Sequence, residues 1–297
     1  MLALEHKAPS HWEGKSVNRR TLLSASAGVA AVSLMGSRIS AQTPADASDI
    51  IAMELTDTAI ILPEEIPAGF YRVTNTNTGT STESHSVVAR LPDGMTKEEF
   101  DVIFAADDDA GFDFLHVDGL GFPDWPAPNA TVSGFIQLTP GLHFAFDPFG
   151  ARGLTYMNVT EGLPVESTAG ESDLQFTLGE MVINMPKGPI LSGQTRWEIS
   201  NLGALTHELA VLAVPTGFTF DDLMALLMLD ETATPTPDMK VIDYEPLAAI
   251  GLLGPGRTSV LEVDLAPASH YMAVCMFPDD QGMPHAMTGM YAFFDIA

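Results

Sequence analysis

Three side chains near the end of the chain could together hold a transition metal. Cys275, His285 and Met290 are separated by nine residues and then by four, and Cys275 is the only cysteine of the 297 residues. A thiolate, an imidazole and a thioether are the ligand types of a blue-copper centre, which needs one more histidine from elsewhere. The same residues would also suit a Met-rich strand and loop of a hydrophobic core. The rest of the sequence has to distinguish these two interpretations.

Residues 1–41 form a leader that we set apart from the folded protein. It combines a basic start, a small-residue apolar run from Thr21 to Gly36 and a cleavage-like sequence ending at Ala41. The segment from Asn18 to Leu23 resembles a twin-arginine export signal, although a general secretory signal is also possible. The apolar run is too short for a membrane span. We therefore expect a periplasmic or secreted mature protein, beginning near Gln42, without a membrane span.

Export changes the meaning of a lone cysteine. In an oxidising compartment Cys275 has no disulfide partner within the chain and would be a liability if it were exposed. Two interpretations remain from the spacing alone, a metal ligand or a small buried hydrophobic residue.

The mature chain is strongly acidic. Of the 13 Lys and Arg residues five lie in the leader, and of the 39 Asp and Glu residues two do, which leaves 8 basic against 37 acidic residues, a net charge of −29. Such a charge argues against nucleic acid and anionic membrane surfaces as partners. It permits a basic protein partner, but solubility alone explains most of these charges.

Short strands separated by Gly, Pro and Asn predict an all-β fold. The segment from Val260 to Leu265 alternates apolar and acidic residues, as expected of a half-buried strand. Further strands are predicted over residues 70–74, 86–91, 195–200 and 207–214. Many short strands with turn residues between them are typical of a sandwich or a barrel.

The two halves of the mature chain also repeat one pattern. Asn77-Thr-Gly precedes Ser84-His85 and an apolar run, while Asn201-Leu-Gly precedes Thr206-His207 and a second apolar run. A Pro follows each run, and then a Thr with an acidic residue three positions later, which predicts a capped helix start in each half. We therefore predict one domain over residues 47–162, a polar linker over 163–172 and a second domain over 173–297.

The second half supplies the missing histidine. His207 begins an apolar strand, and Tyr271, Ala273 and Cys275 would share one face of a later strand. If these two strands are neighbours, His207 and Cys275 meet at one end of the sandwich. His285 and Met290 then return from the loop that follows Cys275.

The order Asn-x-Gly…His207, an inserted segment, Leu-x-Pro-x-x-x-Tyr271-x-x-x-Cys275, His285 and Met290 resembles the cupredoxin family, whose members hold blue (type 1) copper. The loop from Gly282 to Met290 is similar to the loop in the type 1 domain of copper nitrite reductases. The resemblance implies two tandem cupredoxin-like Greek-key β-sandwiches, each with a short inserted helix. It also implies one copper ion, Cu(I) or Cu(II), bound in the second domain by His207, Cys275, His285 and the axial Met290.

The first half lacks this ligand set. His85 is placed by the repeat at the position of His207, but the expected ligand strand reads His143-Phe-Ala-Phe-Asp147, without a cysteine. We therefore predict a degenerate copy that binds no copper, and we interpret His116, His143 and His270 as core or surface residues. Glu208 could orient His207, although a solvated carboxylate at a strand end is the favoured interpretation.

A second copper site, which an oxidase or a nitrite reductase requires, would need more histidines than the mature chain offers. It has six, none in a His-x-His pair, and no nucleophile elbow, P-loop or zinc-protease helix. We therefore expect an electron-transfer protein with an unidentified redox protein partner, and no enzyme activity. The alternatives are copper handling or storage by the cluster of Met residues around the site, and a structural sandwich without metal.

Overall fold

The computed structural model describes residues 50–82, 84–106, 118–148, 152–162, 171–228, 240, 242, 246–267 and 269–296. The predicted leader, residues 1–41, lies outside these ranges, as do His116 and most of the predicted linker. We call residues 50–162 the first half and residues 171–296 the second half. No helix in the described ranges is both long and apolar enough to cross a membrane.

In its described residues the first half contains eight strands and one helix. They are β1 (Ile50–Leu55), β2 (Ile60–Ile61), β3 (Glu65–Pro67), β4 (Gly69–Asn77), β5 (Val87–Arg90), α1 (Lys97–Ala106), β6 (Thr131–Leu138), β7 (Gly141–Phe146) and β8 (Thr155–Thr160).

The described part of the second half repeats this order, except that it has no strand matching β3 and has an additional strand after its helix. Its elements are β9 (Leu174–Gly179), β10 (Val182–Asn184), β11 (Gly193–Asn201), β12 (His207–Ala213), α2 (Phe220–Leu227), β13 (Ala248–Leu253), β14 (Thr258–Leu265), β15 (His270–Val274), a 3-10 helix (His285–Thr288) and β16 (Tyr291–Asp295).

Most strand pairings of the two halves correspond, whereas the β3–β8 and β12–β13 pairs each occur in one half of the described structure. In one layer the order β2-β1-β4-β6 is matched by β10-β9-β11-β14, with β1 parallel to β4 and β9 parallel to β11. In the other layer β5-β7-β8 is matched by β12-β15-β16, all antiparallel. The internal repeat is therefore present in the fold, and the predicted all-β class, with two cupredoxin-like sandwiches and one inserted helix in each, is confirmed.

Each sandwich closes over its own apolar interior. In the first half Ile51, Val73, Val88 and Ala145 from both layers pack together, because side chains alternate along each strand and every second one faces inward. In the second half the inward residues include Trp197, Val211 and Ala273. Helix α2 covers the outside of its sandwich by burying Leu223, Leu226 and Leu227 against Met272 and Val274.

Both helices begin at the predicted residues. Thr219 caps α2: its hydroxyl accepts from the backbone N–H of Asp222, and the Asp222 carboxylate accepts from Thr219 N–H in return. Thr96 and Glu99 make the same exchange at the start of α1. Each cap satisfies two backbone groups that a helix leaves unpaired at its first turn.

The two halves share one sheet. Strand β6 pairs antiparallel with β14, so that the two sets of four strands form a single eight-stranded sheet. In the other layer, residues 119–123 bridge the halves: Gly119 pairs with Ala89 of β5, while Leu120 and Pro123 pair with residues of β13. Asp118 accepts two hydrogen bonds of 2.7 Å from the Arg257 guanidinium across the same junction. The domain boundaries at 162 and 173 remain predictions.

Candidate metal centre

Cys275 lies immediately after β15, on the inward face of the second sandwich. Tyr271 and Ala273, four and two positions earlier, face the same interior, whereas Met272 and Val274 face α2 on the other side. This alternation follows from the strand period of two. The Cys275 thiol is fully buried and forms no disulfide.

His207 reaches the thiol because β12 and β15 are neighbours, which is the condition that the sequence analysis set. The two strands pair antiparallel, with Ala210 opposite Val274, so that the start of β12 lies beside the end of β15. The loop before His207 is fixed by Asn201, whose amide group donates to the carbonyls of Leu205 and Leu253 and whose Oδ1 accepts from Gly203 N–H. Asn77 makes the equivalent contacts to Ser81, Pro126 and Gly79 in the first half.

The loop after Cys275 returns His285 to the same place through backbone hydrogen bonds. His285 N–H donates to the carbonyl of Phe277, and Ala286 N–H donates to the carbonyl of Cys275, at 2.9 and 2.8 Å. Met290 N–H then donates to the His285 carbonyl, and Cys275 N–H donates to the Met290 carbonyl. These four backbone hydrogen bonds fix the nine-residue loop beside Cys275.

The ligand atoms of three predicted residues converge. The Nδ1 atoms of His207 and His285 are 3.1 Å apart, and Cys275 Sγ lies 3.5 Å from His285 Nδ1. In the described part of the chain, these residues form the one group of three or more His, Cys, Asp and Glu side chains whose ligand atoms all lie within 4.8 Å of one another. Both imidazoles and the thiol are at most 1% exposed.

These separations fit a single bound ion. Nitrogen and thiolate ligands lie about 2.0–2.3 Å from an ion such as zinc, and tetrahedral-like angles then place the ligand atoms about 3.1–3.6 Å apart. Two imidazoles and one thiolate in a water-free pocket are the donor set of a trigonal copper site. The residues present therefore fit copper, and the fit rests on their spacing and chemistry.

The electrostatics of His207 favour the form that binds a metal. Burial, and then the neighbouring charge of His285, lower the pKa of His207 from 6.5 to about 4, while Glu180 acts weakly in the opposite direction. The imidazole is therefore neutral at pH 7. Because a metal binds the neutral ring, no proton has to be displaced from His207 at that pH.

Met290 is placed beside the three ligands by its backbone. Its side chain is fully buried in the interior that also contains Cys275, and its carbonyl accepts from Cys275 N–H at 3.1 Å. Its role as the axial ligand remains a prediction. Met287, a nearby alternative in the sequence, packs instead against the apolar cluster beneath α2.

Glu208 differs from the favoured sequence interpretation. Instead of a solvated carboxylate, it is 8% exposed. Its backbone N–H donates to Cys275 Sγ at 3.4 Å, and its Oε1 accepts from the backbone N–H of Met276 at 2.9 Å. One residue thus contacts the thiol and the residue after it. The sequence signal that was available is its position directly after His207.

The corresponding end of the first sandwich is filled differently. Val88 pairs with Ala145 and Val211 pairs with Ala273, and each valine lies four residues before a proline, Pro92 or Pro215. Counting along the strands from these pairs aligns Asp147 with Cys275, Ser84 with His207 and His85 with Glu208. The predicted match of His85 with His207 is therefore wrong, because the strand register places His85 one residue beyond the position of His207.

Asp147 is the residue that replaces the cysteine, and an arginine compensates its charge. Arg152 Nη1 donates to Asp147 Oδ2 at 3.0 Å, and both side chains are fully buried. Arg152 Nε also donates to the carbonyl of Thr56 at 2.6 Å. The end of the first sandwich therefore contains a buried ion pair where the second has a thiol and two imidazoles.

The fold and the site together define a cupredoxin-like protein with a thiolate and imidazole site of the type 1 copper kind. A scan against protein-family models and a search of curated proteins find no match to this sequence.

Among solved structures, the chain is similar to a reduced auracyanin from Roseiflexus castenholzii, at 17% identity and a TM-score of 0.30, over 41% of this chain and 94% of that one. A copper nitrite reductase from Nitrosomonas europaea aligns at 14% identity and a TM-score of 0.25, over 84% and 93% of the two chains. A multi-copper oxidase from Pseudomonas thermotolerans aligns at 10% identity and a TM-score of 0.24, over 84% and 67%. At these TM-scores the alignments do not define the fold, which is defined by the strand pairings described above.

Proposed function

We propose that the protein binds one copper ion between His207, Cys275 and His285 and transfers single electrons, with Met290 as a fourth, axial ligand. The observation that carries the proposal is the convergence of the Nδ1 atoms at 3.1 Å and of Sγ at 3.5 Å in a fully buried pocket. Copper bound there would supply a one-electron couple between Cu(I) and Cu(II).

The protein's own contribution is to hold the ligands in place before any ion binds. Cys275 and His207 are fixed by two neighbouring strands, and His285 is fixed by the four backbone hydrogen bonds of its loop. Ligands that cannot move far between the two oxidation states keep the reorganisation accompanying electron exchange small. Their burial also excludes water, which would otherwise compete as a ligand.

The same burial supports electron transfer in preference to catalysis. A catalytic metal site keeps an open position for water or substrate. Here three ligand side chains that are each at most 1% exposed surround the position, and a buried Met290 stands beside them. Electrons can reach a buried site through the protein, whereas a substrate has to contact the metal itself.

Copper handling by thioethers has less support. Met272 is fully buried and faces α2, and Met276 and Met287 pack against that same apolar cluster, so these side chains contribute to packing. We further propose that the protein is exported, through the leader at residues 1–41, to a periplasmic or extracellular location, and that its redox partner is a protein.

Metal analysis and visible absorption of the chain from Gln42 onward test the copper site. We expect one copper per chain and an intense thiolate-to-Cu(II) band, both lost in Cys275→Ser. His270→Gln is the control, because His270 lies on the same strand but is exposed and paired with Asp295. It should keep both copper and colour.

Two results would contradict the proposal. Unchanged copper content in Cys275→Ser would mean that the thiol is no ligand. Several colourless Cu(I) ions per wild-type chain would instead favour copper handling.

A further inference from the structure

A buried histidine of the first half lies between two carboxylates at the junction with the second half. The Nδ1 of His85 contacts Asp124, and its Nε2 lies 3.9 Å from Oε2 of Glu208. The His85 side chain is 4% exposed, that of Asp124 is fully buried and that of Glu208 is 10% exposed. Both ring nitrogens thus face carboxylate oxygens, an arrangement that an imidazolium, with N–H groups on both nitrogens, satisfies.

The first half holds His85 rigidly. Asp124 Oδ1 accepts from the backbone N–H and the hydroxyl of Ser86, each at 2.9 Å, and Asp124 N–H donates to the carbonyl of Ala249 on β13. The Trp125 ring stacks on the imidazole, with ring centroids 5.1 Å apart and planes inclined by 28°. His85 is therefore fixed on its Asp124 side and on one face of its ring.

The second half connects the other side of His85 to the metal centre. Glu208 Oε2 is the atom that His85 approaches, while Glu208 Oε1 accepts from the N–H of Met276, the residue after Cys275. The Glu208 backbone N–H donates to Cys275 Sγ. Glu208, at the start of β12, is thus connected by two hydrogen bonds to Cys275 and Met276, the two residues that follow β15.

We propose that His85 is a positioning residue for the metal centre: by holding the Glu208 carboxylate from the opposite half, it fixes the Glu208 backbone N–H that donates to the Cys275 sulfur. The inference rests on the proposed function for its effect on copper, but its effect on the thiol does not require metal. The first half, whose described residues form no such ligand group, thereby contributes to the site of the second.

The physical argument is the cost of leaving a buried carboxylate unbalanced. Without His85, Glu208 would keep one backbone hydrogen bond but lose the ring nitrogen that faces its second oxygen, in a position where the side chain is 10% exposed. The carboxylate then gains by moving toward water. Such a movement would weaken the hydrogen bond from Met276 N–H. It would also shift the backbone N–H of Glu208, which donates to the sulfur.

Hydrogen bonding to the cysteine sulfur is one of the factors that set the potential of a thiolate copper site. A weaker N–H···S bond leaves more electron density on the thiolate and favours Cu(II). Loss of His85 is therefore expected to lower the reduction potential and to shift the thiolate-to-Cu(II) band.

Because Cys275 is the only cysteine, its reaction with an aromatic disulfide reagent reports on this one position in the metal-free chain. The test variant is His85→Phe, which keeps an aromatic ring on Trp125 but removes both nitrogens. The control is His270→Phe, which breaks an exposed His–carboxylate pair on the strand that leads to Cys275. We expect the modification rate to rise at least about twofold in His85→Phe, the lower end of couplings within one hydrogen-bond network, and to stay unchanged in the control.

A second pair of variants separates positioning from general loosening. In a Glu208→Gln background, His85→Phe should have less than half of its effect, because the contact through which it acts is already weakened. If His85→Phe fails to fold by circular dichroism, the milder His85→Gln replaces it in both backgrounds.

Each outcome decides the inference. Equal thiol rates in the His85 variant and in the His270 control would overturn it, as would an undiminished effect in the Glu208→Gln background. If the wild-type chain binds no copper, the proposed function fails, while the thiol rates still show whether His85 positions Cys275. If copper binds but its band and potential are the same in wild type and His85→Phe, the positioning role at the copper site is refuted.

Discussion

The two halves share the same strands but fill the same end of the sandwich in opposite ways. In the first half Asp147 and Arg152 form a buried ion pair, so the polar group brings its own counter-charge. In the second half Cys275, His207 and His285 direct a thiol and two imidazole nitrogens at one point. A buried charge has to be paired or to coordinate a metal. The same fold therefore accommodates either a buried ion pair or a group of metal ligands at this end. Only the group of ligands directs its atoms at a position that a cation can occupy.

The largest expected effect concerns the ion pair. Arg152→Met leaves the Asp147 carboxylate buried without its partner and the Thr56 carbonyl without its donor, so we expect the free energy of unfolding to fall by about 3–5 kcal/mol. Asp147→Leu combined with Arg152→Met should recover most of that loss, since an apolar pair of similar volume replaces a buried ion pair without large cost. Urea unfolding of the metal-free chain measures both.

The control for this comparison is Arg90→Met. Arg90 pairs with Asp93, which is 86% exposed, and its Nε donates to the Pro140 carbonyl, so its loss should cost about 1 kcal/mol, well below the loss expected for Arg152. A similarly small loss in Arg152→Met would mean that Asp147 does not depend on its partner, and the contrast between the two ends would no longer hold.

The next effect is the response to acid. Burial lowers the pKa of His143, in the first half, from 6.5 to about 4. Between these values the unfolded chain binds more protons than the folded one, so stability falls as the pH is lowered from 6.5 to 4, by up to about 3 kcal/mol. In His143→Gln the unfolding free energy should lose less between pH 7 and pH 4.5 than in wild type, as measured by urea unfolding at both values.

His207 provides the matching test in the second half, because its pKa is also about 4. Because a bound copper ion excludes the proton from the folded ring, while the unfolded chain still takes it up below pH 6.5, the loss of stability in acid should extend below pH 4 when copper is bound. The response of His143 should persist with copper bound. Identical acid responses in wild type and His143→Gln would show that His143 does not contribute to the loss of unfolding free energy in acid.

The smallest effect tests the equivalence of the halves directly. Thr96→Ala and Thr219→Ala each remove the cap of one helix, and we expect each to cost about 1 kcal/mol. In the double variant the losses should add within about 0.5 kcal/mol, because the caps lie in different halves and share no partner. Thermal unfolding of the single and double variants provides the measurement. A strongly unequal pair would show that the two helices contribute differently to their sandwiches.

The features that could be predicted from the sequence are those that depend on short segments of the chain. Alternating residues from Val260 to Leu265 predicted a strand that β14 contains, and Thr96 and Thr219 predicted where the helices begin. The convergence of His207 with Cys275 followed from one assumption, that their strands are neighbours, and the β12–β15 pair satisfies it. His285 followed because only a loop separates it from Cys275.

The features that the sequence did not reveal depend on contacts between distant segments. No local pattern pairs β6 with β14, and none indicates that His85 faces Glu208 across the junction. The mistaken match of His85 with His207 came from counting from an Asn-x-Gly turn, where loop lengths differ. The strand register corrected it, because Val88 and Val211 occupy equivalent pairs.

The pairing of β6 with β14 joins two equivalent strands antiparallel, which is how two identical subunits meet across a two-fold axis. The protein is thus organised as a covalently linked dimer whose subunits have diverged. During synthesis the first half is complete before β14 exists, and β6 then remains an open sheet edge with unpaired backbone groups. A fragment ending near residue 162 is therefore expected to associate with a second copy of itself through β6, in place of the partner that the full chain supplies.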